Sequence, residues 1–232
     1  MPPFPSPTRV WHDRTYPSIS PQRPELGATG KSVLITGGGT GIGAETARSF
    51  AAAGASKIAL LGRREQPLVD TKVAIEKQFS NVEVFAASVD VTKKADVDAA
   101  FDKFIGDGKL DIVISNAAMI GPQDSVTTVE GSKFLDAIQQ NLAGSLYVAQ
   151  AFARHAAEDA VAIEVNSNAA YVNYGDIFAA YSIAKLAVFR LWDSVAFARP
   201  NLRVYHVQPG VVNTDMNKEA GGVEALGYED HG

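Results

Sequence analysis

The sequence predicts a doubly wound α/β fold, a parallel sheet with helices on both faces. From Lys31 onward, short apolar and β-branched runs alternate with longer stretches whose apolar residues recur at three- and four-residue spacing. Six runs separated by helical segments argue for right-handed βαβ crossovers rather than hairpins. The first run leads straight into a glycine-rich turn, and folds of this kind bind ligands at the carboxyl ends of their strands.

The predicted strands are Ser32–Thr36, Lys57–Leu61, Val82–Ala86, Leu110–Ser115, Val161–Val165 and Arg203–Val207. Helical spacing is clearest in Thr46–Ala53, Ala95–Ile105, Phe134–His155 and Tyr181–Ala198. Ahead of them, seven of the eleven prolines fall within the first 24 residues, where fixed φ angles and missing donors rule out a central strand or a long helix. Residues 1–29 are therefore expected to form a Pro-rich arm, pinned by Phe4, Trp11 and Tyr16 or else loosely draped, and 30–232 a single catalytic domain.

At 232 residues, 46% apolar and 20% charged, the chain has enough material for one sizeable core. A net charge of -5 gives no electrostatic reason to expect nucleic acid or an anionic membrane as partner. With no cysteine, disulfides and thiolate metal sites are excluded, and His12, His155, His206 and His231 lack ligand-like spacing, so no metal is expected. There is neither a long apolar run nor a secretory-signal pattern, and the expected location is cytoplasmic.

Thr36-Gly-Gly-Gly-Thr-Gly-Ile-Gly43 follows the first strand and opens a helix. Glycines there let the backbone turn tightly and approach a pyrophosphate, whose charge is stabilised by the helix N-terminus. The spacing resembles that of the short-chain dehydrogenase/reductase family, a Rossmann-type fold, and further stretches match it in order. Asp90 and Val91 follow the third strand, Asn116-Ala117-Ala118 the fourth, Asn141 lies in the long helical segment, Tyr181 and Lys185 form a Tyr-x-x-x-Lys pair, and Pro209-Gly-Val-Val-Asn-Thr214 follows the sixth strand. By this resemblance the cofactor contacts are Thr36, Gly37, Gly39, Thr40, Gly41, Ile42, Gly43, Arg63, Arg64, Asp90, Val91, Asn116, Ala117, Ala118, Tyr181, Lys185, Pro209, Gly210, Val212 and Thr214. Gly62 stands where an acidic residue would select NAD, and Arg63 and Arg64 follow it, so NADP(H) is expected over NAD(H).

A free tyrosine, with a pKa of about 10, holds its proton too tightly for exchange at neutral pH. Four-residue spacing places Tyr181 and Lys185 on one helix face. A unit charge about 4 Å away at an effective dielectric of about 20 is worth at most ~4 kcal/mol, which lets Lys185 draw Tyr181 toward neutrality. The resemblance implies that Tyr181 exchanges a proton with a carbonyl or alcohol oxygen during hydride transfer. It also implies that Lys185 bonds the nicotinamide ribose and that Asn141 kinks its helix to hold a proton-relaying water.

A hydroxyl completes the set. Counting back thirteen residues from Tyr181 gives Asn168, and fourteen gives Ser167. Alternation along an extended strand would let only one of them face the site. Ser167 is the preferred donor, since turn formers between Tyr171 and Phe178 can absorb one extra residue; the Asn168 amide is the alternative.

By analogy the substrate meets Met119, Ile120, Tyr171 to Phe178 and a lid at 213–227, which suggests a medium-sized, partly apolar ketone or alcohol. Relatives continue into a further helix and strand, and since the chain stops at Gly232 the sheet is expected to lack that last strand. Surplus apolar residues on 134–155 and 181–198 (Leu142, Leu146, Phe152, Val188, Leu191 and Trp192) point to a homodimer through these helices. The alternatives to an NADP-dependent oxidoreductase are a catalytically silent NADP-binding protein and a non-redox member of the same family.

Overall fold

The structure, a computed structural model, describes His12, residues 15–173 and residues 175–222. In chain order its main elements are β1 (Ser32–Thr36), α1 (Gly41–Ala52), β2 (Lys57–Gly62), α2 (Glu65–Gln78), β3 (Glu83–Ser88) and α3 (Lys94–Ile105). They continue with β4 (Leu110–Ser115), α4 (Gly131–His155), β5 (Ala156–Val165), α5 (Ala179–Ala198), β6 (Arg203–Val207) and α6 (Asp215–Glu219). The six strands form one sheet in the order β3-β2-β1-β4-β5-β6, and every neighbouring pair is parallel. The chain winds outward from β1 to one edge, crosses back and winds outward again from β4. This is the doubly wound Rossmann-type sheet expected, and its switch point lies between β1 and β4.

Two apolar cores follow from the pleat, which sends successive side chains to opposite faces. Val33, Ile35, Ile58, Leu60 and Ile114 pack with Leu68 and Ile75 of α2 and Ala47 and Ala51 of α1. On the other face Leu34, Ala59, Leu61, Val113 and Ala162 pack with Phe101 of α3, Phe152 of α4 and Trp192 of α5. Burial on both faces is why the central strands read as continuous apolar runs.

Where boundaries depart from expectation, the cause is local. α1 starts at Gly41, inside the glycine turn, because its first turn is built from backbone rather than apolar side chains. β5 begins at Ala156, five residues before Val161, through a stretch that includes Glu158 and Asp159 and hides the strand pattern. β3 is displaced to Glu83–Ser88. α2 holds Pro67 in its first turn, where a missing N–H costs no helical bond. Among the described residues β6 is an edge strand, with Tyr205 and Val207 exposed.

Within the arm, Pro17–Ile19 and Pro24–Leu26 are single 3-10 turns, and the Ala28 N–H donates to the Ala53 carbonyl at 2.7 Å, fastening the arm to the end of α1. Tyr16 stacks on His12 with ring centroids 4.0 Å apart, while Phe4 and Trp11 lie outside the described residues.

Three residues expected to be surplus apolar surface belong to the core instead: Phe152, Val188 and Trp192. The indole N–H of Trp192 donates to the buried Ser145 hydroxyl at 2.9 Å, joining α5 to α4. Ser145→Ala strands this donor, so we expect urea denaturation to show a loss of about 1–3 kcal/mol.

Candidate active site

The site is built at the switch point. The Thr36 hydroxyl accepts the N–H groups of Asn116 and Ala117, each at 3.0 Å, while the Asn116 amide donates to the Thr36 carbonyl at 2.9 Å. The end of β4 is thus stitched to the turn after β1. Gly37 takes φ +68°, where L side chains rarely fit, and a Cβ at Gly43 would lie 2.1 Å from the Gly37 carbonyl oxygen. Thr40 stands before α1 without capping it through its side chain, which leaves first-turn amides facing outward with the positive end of the helix. A backbone cradle that tolerates no side chain, at a helix N-terminus, fits the pyrophosphate of a dinucleotide.

Arg64 reaches back so that its guanidinium donates to the Thr40 hydroxyl at 3.5 Å, with Asp215 at 3.9 Å. Arg63 is exposed beside it. The Asp90 carboxylate accepts the N–H and hydroxyl of Thr92, which hold it below the usual carboxylate range. Val91 packs on Gly144 of α4, so tightly that a Cβ there would lie 2.8 Å from it. Thr214 touches Gly41 and caps α6 through its hydroxyl, which accepts the Asn217 N–H at 3.2 Å. Ala118 follows Ala117 on the loop leaving β4, partly exposed. Pro209 and Val212 line an apolar cleft of about 420 Å³ between the arm and α1, which meets the cradle at Gly41 and Ile42; neither Tyr181 nor Lys185 lines it. Gly210 turns the chain after β6 with φ +81°.

Tyr181 and Lys185 lie on one face of α5, the ammonium 5.8 Å from the phenol ring centroid. The Ser167 hydroxyl lies close enough to the Tyr181 phenol to pull its pKa down. β5 ends at Val165, so strand alternation does not decide between the neighbours: Ser167 caps a 3-10 turn, Asn168–Ala170, and its oxygen also accepts the Ala169 N–H at 3.2 Å. Asn168 begins that turn and is exposed. The Asn141 amide donates to the carbonyls of Met119 and Ala137 at 3.0 and 2.9 Å and accepts the Met119 N–H at 3.0 Å, clamping the loop after β4.

The charge balance differs from expectation. Burial above all, against the pull of the nearby Ser167 hydroxyl and with the charge of Glu164 adding to it, pushes the Tyr181 phenol up to about 12. Lys185 does not draw it toward neutrality here, because its ammonium donates to the Val165 carbonyl at 2.6 Å and faces Glu164 at 3.9 Å. Burial holds Lys185 below the usual lysine range, opposed by Glu164.

Sequence reasoning missed Glu164, Asn166 and His206. The signal available was a charged residue inside an otherwise apolar strand. Parallel register sets Glu164 opposite His206, and the two are joined at 2.9 Å. Around the mouth, Tyr171, Val172 and Ile177 are exposed and Ile120 is buried. α6 lies within the expected lid, which the Gln123 amide ties down by donating to the Glu219 carbonyl at 2.9 Å; residues 223–227 of that lid lie outside the described residues. Among the described residues no group of three or more His, Asp or Glu is placed to hold a metal ion, and no helix is long and apolar enough to cross a membrane.

Comparison with known proteins agrees with this geometry. The family profile described as short chain dehydrogenase matches residues 31–224. A short chain dehydrogenase/reductase of Aspergillus aculeatus is 29% identical over 98% of this chain and 79% of its own length. Sorbose reductase of Schizosaccharomyces pombe is 30% identical over 81% of this chain and 75% of its own length. The crystal structure of a short chain dehydrogenase from Burkholderia cenocepacia in complex with NADP superposes with a TM-score of 0.74 at 26% identity, covering 82% of this chain and 78% of that one. A short chain dehydrogenase of Aspergillus terreus is much longer, 32% identical over 94% of this chain and 48% of its own length.

Gly43→Ala forces the glycine turn open through the 2.1 Å approach to Gly37. We expect NADPH affinity, measured by fluorescence titration, to fall at least about tenfold, or ~1.4 kcal/mol.

Proposed function

The chain belongs to the short chain dehydrogenase family, and from that membership and the site's geometry we propose that it interconverts a carbonyl and an alcohol on a small, partly apolar molecule with NADP(H). The observation that carries the reading is the meeting of Ser167, Tyr181 and Lys185 past the carboxyl end of β5, at the same edge of the parallel sheet as the glycine cradle after β1. The bound nicotinamide supplies the hydride donor or acceptor. The cradle from Thr36 to Gly43 holds the pyrophosphate, Asn116 steadies the cradle, and Asp90 and Val91 stand where the adenine is expected. A phenol pushed up to about 12 is protonated throughout the neutral range but holds that proton tightly, so Tyr181 gives it up only as hydride transfer makes the carbonyl oxygen strongly basic. Ser167, close enough to that phenol to pull its pKa down, is the group that steadies the same oxygen. Tyr171, Val172 and Ile177 give the mouth its apolar character, in keeping with a ketone or secondary alcohol larger than a few carbons.

NADP(H) is favoured because Gly62 offers no carboxylate and Arg64 is drawn to Thr40 of the cradle. NADPH should bind at least about tenfold more tightly than NADH, ~1.4 kcal/mol, and equal affinities in parallel titrations would refute the assignment.

Following NADPH absorbance across a panel of ketones and quinones tests the activity, and Tyr181→Phe should abolish turnover while leaving cofactor binding intact. Ser167→Ala should lower turnover about a hundredfold, ~2.7 kcal/mol, and Asn168→Ala far less. If NADPH binds but no carbonyl is reduced, the protein is a silent binder.

A homodimer through α4 and α5 is part of this reading. It is supported by Leu135 on α4 and by Ile183, Leu186 and Phe197 on α5, which are 65%, 46%, 48% and 91% exposed. Light scattering at tens of micromolar should give twice the chain mass, and a monomer there would count against the pairing.

A further inference from the structure

The reading above leaves one group without a task, a carboxylate sealed inside the protein. Glu164 sits on β5 with only 1% of its surface exposed, on the face packed against α5. Its Oε2 accepts the Asn166 amide at 2.7 Å and lies 2.9 Å from His206 Nδ1. Its Oε1 has no hydrogen-bond partner among the described residues, and the group it faces is the Lys185 ammonium at 3.9 Å. A buried, half-satisfied carboxylate is costly unless an opposite charge lies within reach.

Three elements converge to hold this arrangement. Asn166, after β5, also donates to the Lys185 carbonyl at 3.2 Å, tying the carboxylate to the helix backbone that carries the lysine. His206, on β6, turns its other ring nitrogen toward Asp193 of α5 at 3.5 Å. Phe189 covers the imidazole with its centroid 4.1 Å away, and Tyr171 meets Phe189 edge-on. The titratable and charged groups facing the cluster are therefore Tyr181, Lys185 and Asp193 from α5, His206 from β6 and Tyr171 from the segment after β5, with Arg190 pairing Asp193 from outside.

We propose that Glu164 is a positioning residue for the reaction: its carboxylate, fixed by Asn166 and His206, is the buried counter-charge that keeps Lys185 an ammonium ion. The proposal rests on Tyr181 and Lys185 being the reacting pair. Burial works against the charged lysine, and the Val165 carbonyl supplies a hydrogen bond but no net charge. Among the described residues Glu164 is the carboxylate within 4 Å of Lys185. The same negative charge works against ionisation of Tyr181. Glu164 thereby favours the protonated form of both groups, the state from which a carbonyl is reduced.

The test is a direct titration. In protein labelled with 15N-lysine, the Lys185 Nζ resonance is assigned by its loss in Lys185→Arg and followed between about pH 5 and 10. In Glu164→Gln its midpoint should fall by at least about one pH unit, a tenfold loss of proton affinity, and Glu164→Asp should recover most of it. An unchanged midpoint in Glu164→Gln overturns the proposal, as does a wild-type Lys185 already neutral at pH 7, a result that needs no variant to fold. A second arm measures NADPH affinity: Glu164→Gln should weaken it less than about twofold at pH 6 and at least about fivefold at pH 9. Equal weakening at both pH values marks a packing role and overturns it. If the wild type binds no NADPH at any pH, the proposed function fails, and the lysine titration still decides the role of Glu164.

Discussion

The hydrogen bonding of Thr36 is the constraint on which the architecture of the site depends. Its hydroxyl lies at the end of β1 and takes two backbone N–H groups from the loop leaving β4. Those strands are some eighty residues apart in sequence and pair in parallel where the sheet changes its winding direction. The turn after β1 and the loop after β4 diverge from this point, one toward α1 and the other over α4. The crevice between them is what the topology leaves open. Without the stitch, the glycine cradle and the Asn116 loop would be two independent surface turns.

From that crevice the rest follows by packing. Asn141 fixes Met119 to α4, and the Trp192 to Ser145 bond fixes α4 to α5. α5 in turn sets Lys185 against the end of β5, where its ammonium donates to the Val165 carbonyl, with Tyr181 on the same helix face. The electrostatics there are those of a dry, crowded place: burial raises the phenol, lowers the ammonium and makes a single carboxylate influential over both. The Ser167 hydroxyl, close to the phenol, pulls against this. Its orientation is set by the 3-10 turn that it caps, not by the strand before it.

Much of this was legible in the sequence. The six strands announce themselves because burial on both faces demands unbroken apolar runs, and the glycine turn because nothing larger fits between Gly37 and Gly43. The Tyr181 and Lys185 pair needs only the helical period. Three features were not legible, each for a physical reason. The start of β5 carries charge at Glu158 and Asp159, which masks a strand. The choice between Ser167 and Asn168 turns on where β5 ends, and strand boundaries are weakly encoded. The Glu164 to His206 contact spans 42 residues and exists only through parallel register, which no local pattern specifies.

The proposed function has this site move a hydride between a nicotinamide and a carbonyl carbon. Reduction of a turned-over ketone with NADPH carrying deuterium at both hydrogens of the nicotinamide C4 reads that transfer directly. We expect one deuterium on the carbinol carbon of the alcohol product, and none when the label is carried by water instead. Conversion of the carbonyl compound with no deuterium on that carbon, or with the cofactor left unoxidised, would contradict it.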